Sequence, residues 1–243
     1  MAIYFISDLH LKPQRPDLNR ALLCFLDQIT PDAEALYLLG DIFEAWIGDD
    51  APDPALEEIY NRLARLSQNC QLYFQHGNRD FLVGNTFCQQ IGASLLPEYA
   101  EIDLPFAKAL VLHGDQLCTD DTDYMAFRAM VRNPEWQQAF LSKPVTERLA
   151  IAKQLRDASQ AQGAMKSSDI TDVNSATVLA TFAEHQVRVM IHGHTHRPKI
   201  HHHTLPSGDT AERIVLGDWD QLGWYLRADK QGYSLESFPI KPD

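Results

Sequence analysis

The sequence predicts a layered α/β domain, and three features of the chain carry that prediction. Short apolar runs at 2–6, 35–39, 71–75, 110–112 and 187–191 have the length expected of buried strands. Segments whose apolar residues recur at helical spacing lie between them, as in strands alternating with crossover helices. Each run empties into side chains that donate lone pairs: Asp8 and His10, Asp41, Asn78, His113, then His194 and His196.

Ala2 to Ile6 enters Ser7-Asp8-Leu9-His10. Leu18, Leu22, Phe25, Leu26 and Ile29 then repeat at helical spacing behind Pro16-Asp17, a helix start. Ala35 to Leu39 ends in Gly40-Asp41. Asp53-Pro54 reads as an N-cap with proline at the first helical position, and Leu56, Ile59, Tyr60, Leu63 and Leu66 give one apolar face. Gln71 to Gln75 leads into His76-Gly77-Asn78-Arg79-Asp80. Glu98 to Leu104 alternates polar and apolar, and Leu110 to Leu112 runs into His113, so a hairpin is expected. Residues 122 to about 165 predict a helical insertion, with Met125, Phe127, Met130, Val131, Trp136, Phe140 and Leu141 near helical spacing. A helix from about 172 to 184 returns the chain to the strand at 187. Runs at 199–204, 212–216, 223–228 and 232–238 predict an antiparallel finish.

A formal charge of −12 argues against broad, sequence-independent nucleic-acid binding, which needs Lys and Arg to displace counterions. The charge is uneven: residues 122–166 hold seven Lys and Arg against four Asp and Glu. Such a basic island suits an anionic ligand or a membrane surface, or is a solvated helix face. Cys24, Cys70, Cys88 and Cys118 lack C-x-x-C spacing and read as reduced thiols. The N-terminal run has no basic flank and meets Asp8 early, and no apolar run approaches the roughly 18 residues of a membrane span. A cytoplasmic protein is expected, at most peripherally bound to membrane.

Ile191-His192-Gly193-His194-Thr195-His196 concentrates the chemistry. Histidines at alternate positions beyond a strand can be turned onto one centre, and ligands collect beyond the carboxyl ends of strands in α/β sheets. A single Gly-Asp after a strand is usually a turn. Five strand ends bearing carboxylate, amide and imidazole donors without cysteine point to a metal centre, and the mixture favours Mn²⁺, Fe²⁺ or Zn²⁺ over Ca²⁺ or Mg²⁺. Seven donors exceed one catalytic ion's needs, so two ions sharing a carboxylate are expected.

Asp8-x-His10, Gly40-Asp41, Gly77-Asn78-Arg79-Asp80, His113-Gly114-Asp115 and Gly193-His194-x-His196 together resemble the calcineurin-like metallophosphoesterases. The resemblance implies two packed mixed β-sheets flanked by helices. It also implies that Asp8, His10 and His196 hold one ion, that Asn78, His113 and His194 hold the other, and that Asp41 bridges them. The reaction implied is hydrolysis by a metal-activated water, with Asp41, Asn78, Arg79 and His113 as the catalytic set. Two ions about 3.5 to 4 Å apart suit that role, since they acidify a water and clamp a phosphoryl group. Arg79 stands where many members have a histidine able to protonate a leaving alkoxide. An arginine cannot give up a proton, which favours a phosphate leaving group and hence a diphosphate substrate.

Phe43 to Asp50, His76 to Phe81, Leu117 to Asp121 and His192 to Pro198 are similar to the branch of that family that cleaves UDP-2,3-diacylglucosamine in lipid A biosynthesis. That likeness implies water attack at the α-phosphorus to give UMP and 2,3-diacylglucosamine 1-phosphate, two Mn²⁺ per chain, and work at the cytoplasmic face of the inner membrane. It implies a core of 1–121 and 167–243 under a helical cap at 122–166. Substrate contacts carry over to Asn78, Arg79, Asp121, Ser159, Lys166 and His194, and to Gly163 through its backbone alone. The basic island would then attract the diphosphate or lipid headgroups, while cap aromatics and methionines line a path for acyl chains. The competing reading is a broad-specificity phosphodiesterase or phosphatase on the same scaffold, since fold alone does not fix substrate. Asp80 and Asp115 are expected to orient imidazoles from behind, and His201, His202 and His203 to lie at the surface without a role.

Overall fold

In the computed structural model, the described residues are 1–163 and 170–241, the side chains of 158–163 excepted. One mixed sheet of six strands runs in the order β11 (Gly232–Pro239), β10 (Leu222–Asp229), β1 (Ala2–Ile6), β2 (Ala33–Leu39), β3 (Gln71–Gln75) and β4 (Ala93–Leu95). β1 to β4 are parallel, and β10 joins β1 antiparallel. A second sheet of five runs β5 (Ala100–Asp103), β6 (Lys108–Val111), β7 (Val189–His192), β9 (Thr210–Val215) and β8 (Lys199–Thr204). Here β6, β7 and β9 are parallel, and β5 and β8 are antiparallel edges.

The alternation of side chains along a strand assigns the layers. Ile3 and Phe5 of β1 pack with Val111, Ile191 and Ile214 of the other sheet, so this face is the core between sheets. Tyr4 and Ile6 point the other way and pack with the buried stripe of α1 (Pro16–Ile29), notably Leu22, Phe25 and Leu26. Because both faces of β1 are covered, all five of its residues are buried, and the run reads as continuously apolar rather than alternating. α2 (Glu57–Leu66) continues this layer through Ile59, Tyr60 and Leu63. The expected N-cap at Asp53 instead begins a short 3₁₀ turn, Pro54–Leu56, in which Asp53 accepts the N–H of Ala55 at 3.0 Å, since Pro54 has none to give.

α3 (Asn85–Ile91) and β4 have no counterpart in the sequence expectation. α3 is seven residues long and stops at Gly92, whose φ of +71° is left-handed and suits glycine. The run from 122 folds as α4 (Thr122–Val131), α5 (Pro134–Leu141) and α6 (Val145–Gly163). Asp121 and Asn133 cap α4 and α5 by accepting backbone N–H groups. Phe140 is buried against the helical layer, and Arg148, 2 % exposed, donates to the Ile47 carbonyl at 2.6 Å and to Asp50 at 2.7 Å. Met130 and Leu141 depart from a buried stripe, at 44 % and 40 % exposed. α7 (Ser175–His185) covers the outer face of the second sheet, laying Val178 and Phe182 on Leu110, Leu112 and Met190. It starts after Asn174, whose side chain caps the Thr177 N–H, rather than at 172.

Candidate metal centre

The parallel strands β1, β2, β3, β6 and β7 end on one side, and each passes into a loop bearing predicted donors. Six non-glycine residues have left-handed φ among those described. Five of them are Asp8, His10, Asp41, His194 and His196, and the sixth, Gln186, ends α7. This conformation costs an L-residue roughly 1–2 kcal/mol and persists only where surroundings enforce it. Bonds between the loops enforce it here: Asp8 N–H donates to Gly40 O, His10 N–H to Asp41 O, Gly193 N–H to His113 O and Trp219 N–H to Asp8 O. Two glycines permit the close approach. A Cβ on Gly77 would lie 2.2 Å from Asp41 Oδ1, and one on Gly193 would lie 2.1 Å from Asp8 Oδ2.

The donors converge in two groups. Asp8 Oδ2 accepts the Ser7 hydroxyl at 2.6 Å and the His194 N–H at 2.9 Å, which turns Oδ1 toward His196 Nε2, 3.3 Å away. That Oδ1 is buried and lacks a hydrogen-bond donor of proper geometry. His10 Nε2 lies 3.4 Å from His196 Nε2. In the second group, Asn78 Oδ1 is 3.0 Å from His113 Nε2 and 2.9 Å from His194 Nδ1, and Asp41 Oδ1 is 3.8 Å from His113 Nε2. Donor atoms of Asp8, Asp41 and His113 lie within 4.8 Å of one another, so the groups adjoin.

The protonation pattern suits a cation. His113 gives its Nδ1–H to the Leu39 carbonyl at 2.9 Å, which aims Nε2 at the oxygens of Asn78 and Asp41. Burial lowers the pKa of this ring, but the charges of Asp41, Asp8 and Asp115 raise it on balance, so those oxygens favour a positive charge at Nε2. A cluster of carboxylate and amide oxygens that draws positive charge to its imidazoles fits a bound cation in their place. Burial pushes the Asp41 carboxyl up to about 7, with His113 opposing and Asp80 and Asp8 adding to the rise. Burial likewise lowers His10 and His194 to about 4, leaving neutral imidazoles of the kind a metal takes. His196 goes the other way: burial lowers it, but its pairing with the Asp8 carboxylate and the charges of Asp218 and Asp41 together outweigh this and lift it to about 9. An entering ion would displace that proton. The donor set thus fits divalent metal.

The calcineurin-like phosphoesterase family matches residues 1–198. The chain belongs to that family. Among relatives of this phosphoesterase, the UDP-2,3-diacylglucosamine hydrolase of Cellvibrio japonicus is 50 % identical, over 99 % of this chain and 100 % of the relative. That of Tolumonas auensis is 47 % identical, over 99 % and 98 %. A solved archaeal phosphodiesterase shares the fold at 13 % identity, with a TM-score of 0.50 over 98 % of this chain and 100 % of the other.

The phosphoesterase has a cavity of about 870 Å³ that opens on His10, Asp41, Asn78, His194 and His196. A second, of about 70 Å³, is lined by Trp46, Phe81, Leu82, Phe127, Trp136 and Phe140, and shares Asn78, Arg79, Tyr124 and Phe127 with the first. Arg79 gives its backbone N–H to Asp41 Oδ1 at 2.7 Å and lines both cavities, with Nε buried and unpartnered. Asp121, 8 % exposed, lines the larger cavity while capping α4. Gly163 ends α6, but its surroundings, the Ser159 side chain and all of Lys166 lie outside the described residues.

Three features differ from expectation or were missed. Asp80 and Asp115 hydrogen-bond to no imidazole, although the charge of Asp115 acts on His113 and His194: Asp80 accepts backbone N–H groups of Asp41, Ile42, Phe43 and Gly77, and Asp115 accepts Tyr124 Oη and Arg128 Nε at 2.8 Å each. Unpaired amides and the cap's donors compete better for a buried carboxylate than rings already turned toward carbonyls or other donors. His192 faces away from the donors, bonded to Arg213 and the Gly193 carbonyl, and burial together with Arg213 lowers it to about 3. Tyr124, Glu44 and Arg156 border the cavities, and proximity of Glu44 to the Gly40-Asp41 motif was the one sequence signal for them. His201 to His203 lie on edge strand β8, half-buried or exposed.

Proposed function

We propose that this phosphoesterase hydrolyses the diphosphate of UDP-2,3-diacylglucosamine, giving UMP and 2,3-diacylglucosamine 1-phosphate by water attack at the α-phosphorus. The observation that carries the reading is the junction of two cavities at Asn78 and Arg79, one opening on the metal donors and the other walled by apolar side chains. A substrate joining a diphosphate to lipid needs both. Near-50 % identity over the whole chain to hydrolases named for that substrate supports the choice.

Asp8, His10 and His196 would hold one Mn²⁺, Asn78, His113 and His194 a second, and Asp41 would bridge. Two bound ions supply an acidified water and positive charge for the phosphoryl oxygens. A bond forms from the water oxygen to the α-phosphorus, and the bond from that phosphorus to the bridging oxygen breaks. Arg79 meets the departing phosphate with a charge it cannot lose, which suits a leaving group that needs no proton. Asn78, His194, Asp121, Ser159, Gly163 and Lys166 complete the substrate contacts. Residues 122–166 act as a cap over the core. Tyr124 and Arg128 anchor α4 through Asp115, two residues from His113.

Trp46, Phe81, Leu82, Phe127 and Trp136 would receive acyl chain, at roughly 0.8 kcal/mol per buried methylene. Among the described residues no helix is long and apolar enough to cross a membrane. Exposed Met130, Leu141, Val145 and Leu149 on the cap, beside Lys143 and Lys153, support peripheral attachment to the cytoplasmic face of the inner membrane. Incubation with Mn²⁺ and UDP-2,3-diacylglucosamine tests the proposal. UMP is the expected product, and turnover of small phosphodiesters without UMP from this lipid would return the protein to a broader phosphodiesterase reading.

A further inference from the structure

One wall of the large cavity has no part in the contacts assigned above. The loop after β1 and the start of α1 bring Lys12, Arg15 and Leu18 to it, and the loop after β9 brings Asp218, Trp219 and Asp220. None of these six borders the apolar chamber. They adjoin the donors instead, since Asp218 Oδ2 is 3.6 Å from His196 Nδ1. The two loops are tied together: Arg15 Nη1 donates to Asp220 Oδ1 at 2.7 Å, Arg15 Nη2 to the Asp220 carbonyl at 3.1 Å, and Arg15 Nε to Asp17 Oδ1 at 2.9 Å. Lys12 Nζ lies 3.3 Å from Glu44 Oε2.

We infer that this wall is the nucleoside subsite, holding the ribose and base of a uridine 5′-phosphate, an inference that rests on the diphosphate reading above. Connectivity gives the first reason. An α-phosphorus at the donors carries two organic branches. The lipid branch runs through the second phosphate past Arg79 to the apolar chamber, so the nucleoside must leave along another wall. Chemistry gives the second. A ribose offers vicinal hydroxyl donors, which carboxylates such as Asp218 and Asp220 accept, and uracil offers two carbonyl acceptors beside one N–H, for which a wall alternating cations and carboxylates is complementary. The remaining polar wall, at Asp121, Asp123, Tyr124, Thr171 and Thr195, brings no cation among the described residues and so lacks the alternation of charge found here. Leu18 and Trp219, each 2 % exposed, close the floor beneath. Arg15 is already held by Asp17 and Asp220, so little ordering remains to be done when a nucleoside arrives.

Calorimetric titration of UMP into the Mn²⁺-loaded protein tests this, comparing wild type with Lys12→Ala, Asp218→Asn and Asp220→Asn. The asparagine variants keep side-chain size, and circular dichroism checks the fold of each. Losing a charged hydrogen-bond partner predicts a fall in UMP affinity of about tenfold or more in at least one carboxylate variant and in Lys12→Ala. Wild type should also bind 2′-deoxyuridine 5′-phosphate more weakly than UMP, and that difference should vanish in the carboxylate variant that loses affinity. UMP binding unchanged in all three variants would overturn the subsite, even if wild type releases UMP from the lipid substrate. Failure of wild type to release UMP sinks the reaction instead, and a loss of UMP affinity in the variants would still support a nucleotide wall.

Discussion

The buried carboxylate of Asp80 accepts the backbone N–H of Asp41 at 3.2 Å through the same Oδ1 that takes the N–H of Gly77 at 2.8 Å. Its other oxygen takes the N–H of Ile42 at 2.8 Å. One side chain therefore fastens the loop after β2 to the loop after β3, and the Arg79 N–H closes the circuit onto Asp41 Oδ1. Asp41 is aimed by this frame, which also sustains its left-handed φ of 53°.

Removing the frame should cost both stability and metal. Asp80→Ala leaves four buried N–H groups without partners, those of Asp41, Ile42, Phe43 and Gly77, each worth about 1–3 kcal/mol, so a loss of at least about 4 kcal/mol is expected in urea unfolding of the metal-free protein. Metal affinity, measured separately by calorimetry, should fall with it. Asp80→Asn retains one acceptor oxygen and should lie between. A metal-free stability equal to wild type in Asp80→Ala would show that the loops hold their shape without the carboxylate.

The bridging role proposed for Asp41 predicts an asymmetry between variants at the proposed metal donors. His10→Ala should lose one ion and Asp41→Ala should disturb both, so hydrolysis should fall in each and further in Asp41→Ala. Elemental analysis beside turnover reads both. Near-normal activity in purified Asp41→Ala would sink the two-metal reading.

Much of this frame was legible, because each donor ends an apolar run and a strand-forming run is hard to mistake for a surface loop. Asp8, His10, Asp41, Asn78, His113, His194 and His196 could be picked out for that reason. Their left-handed backbone could not, since nothing in the identity of Asp8 or His196 asks for it and the enforcing bonds come from other loops. α3 escaped because seven residues are too few to display a helical period. Asp80 and Asp115, expected to orient imidazoles, hydrogen-bond to backbone amides and to Tyr124 and Arg128 instead, because sequence adjacency does not tell which way a carboxylate turns. Arg15 and Asp220 meet across 205 positions, a pairing that no local pattern announces.

Thiol chemistry offers a pH test away from the donors. Burial pushes Cys70 up to about 11 and Cys88 and Cys118 up to about 12, whereas Cys24 is exposed. Iodoacetamide at mild pH should label Cys24 alone in the folded protein, as peptide mapping would reveal. The same shifts set a sign for stability. Below the ordinary thiol value of 9.0 these cysteines are protonated whether folded or not, and their contribution is constant. Above it the unfolded chain sheds protons first, so stability should decline from about pH 9 toward 11 to 12. A Cys70→Ser, Cys88→Ala, Cys118→Ala variant should show a shallower alkaline decline of the urea midpoint, and an unchanged slope would discount the thiols.

The proposed attack at the α-phosphorus fixes where solvent oxygen goes. Hydrolysis in ¹⁸O-labelled water should place the label in UMP and none in the lipid phosphate, by mass spectrometry of both products. Label in the lipid product would reverse the regiochemistry and remove the reason for placing Arg79 against the leaving phosphate.

Acyl selectivity should reside in the apolar chamber, and two cap residues three positions apart, Phe127 and Met130, separate the possibilities. Phe127 lines both cavities, whereas Met130 is 44 % exposed and lines neither, although both belong to one predicted apolar stripe. If each buried methylene is worth roughly 0.8 kcal/mol, shortening the chains by a few carbons removes several kcal/mol of binding, and kcat/KM should fall steeply with acyl length. Phe127→Ser should flatten that dependence by wetting the chamber, while Met130→Ser should preserve it, provided circular dichroism shows both variants folded. The pair distinguishes a lipid-reading chamber from mere packing of the cap, since a packing defect would lower activity toward long and short chains alike. Acyl-free UDP-glucosamine cleaved as efficiently as the diacylated substrate would leave the chamber without a role in selection, and the helices from 122 would then serve the fold alone.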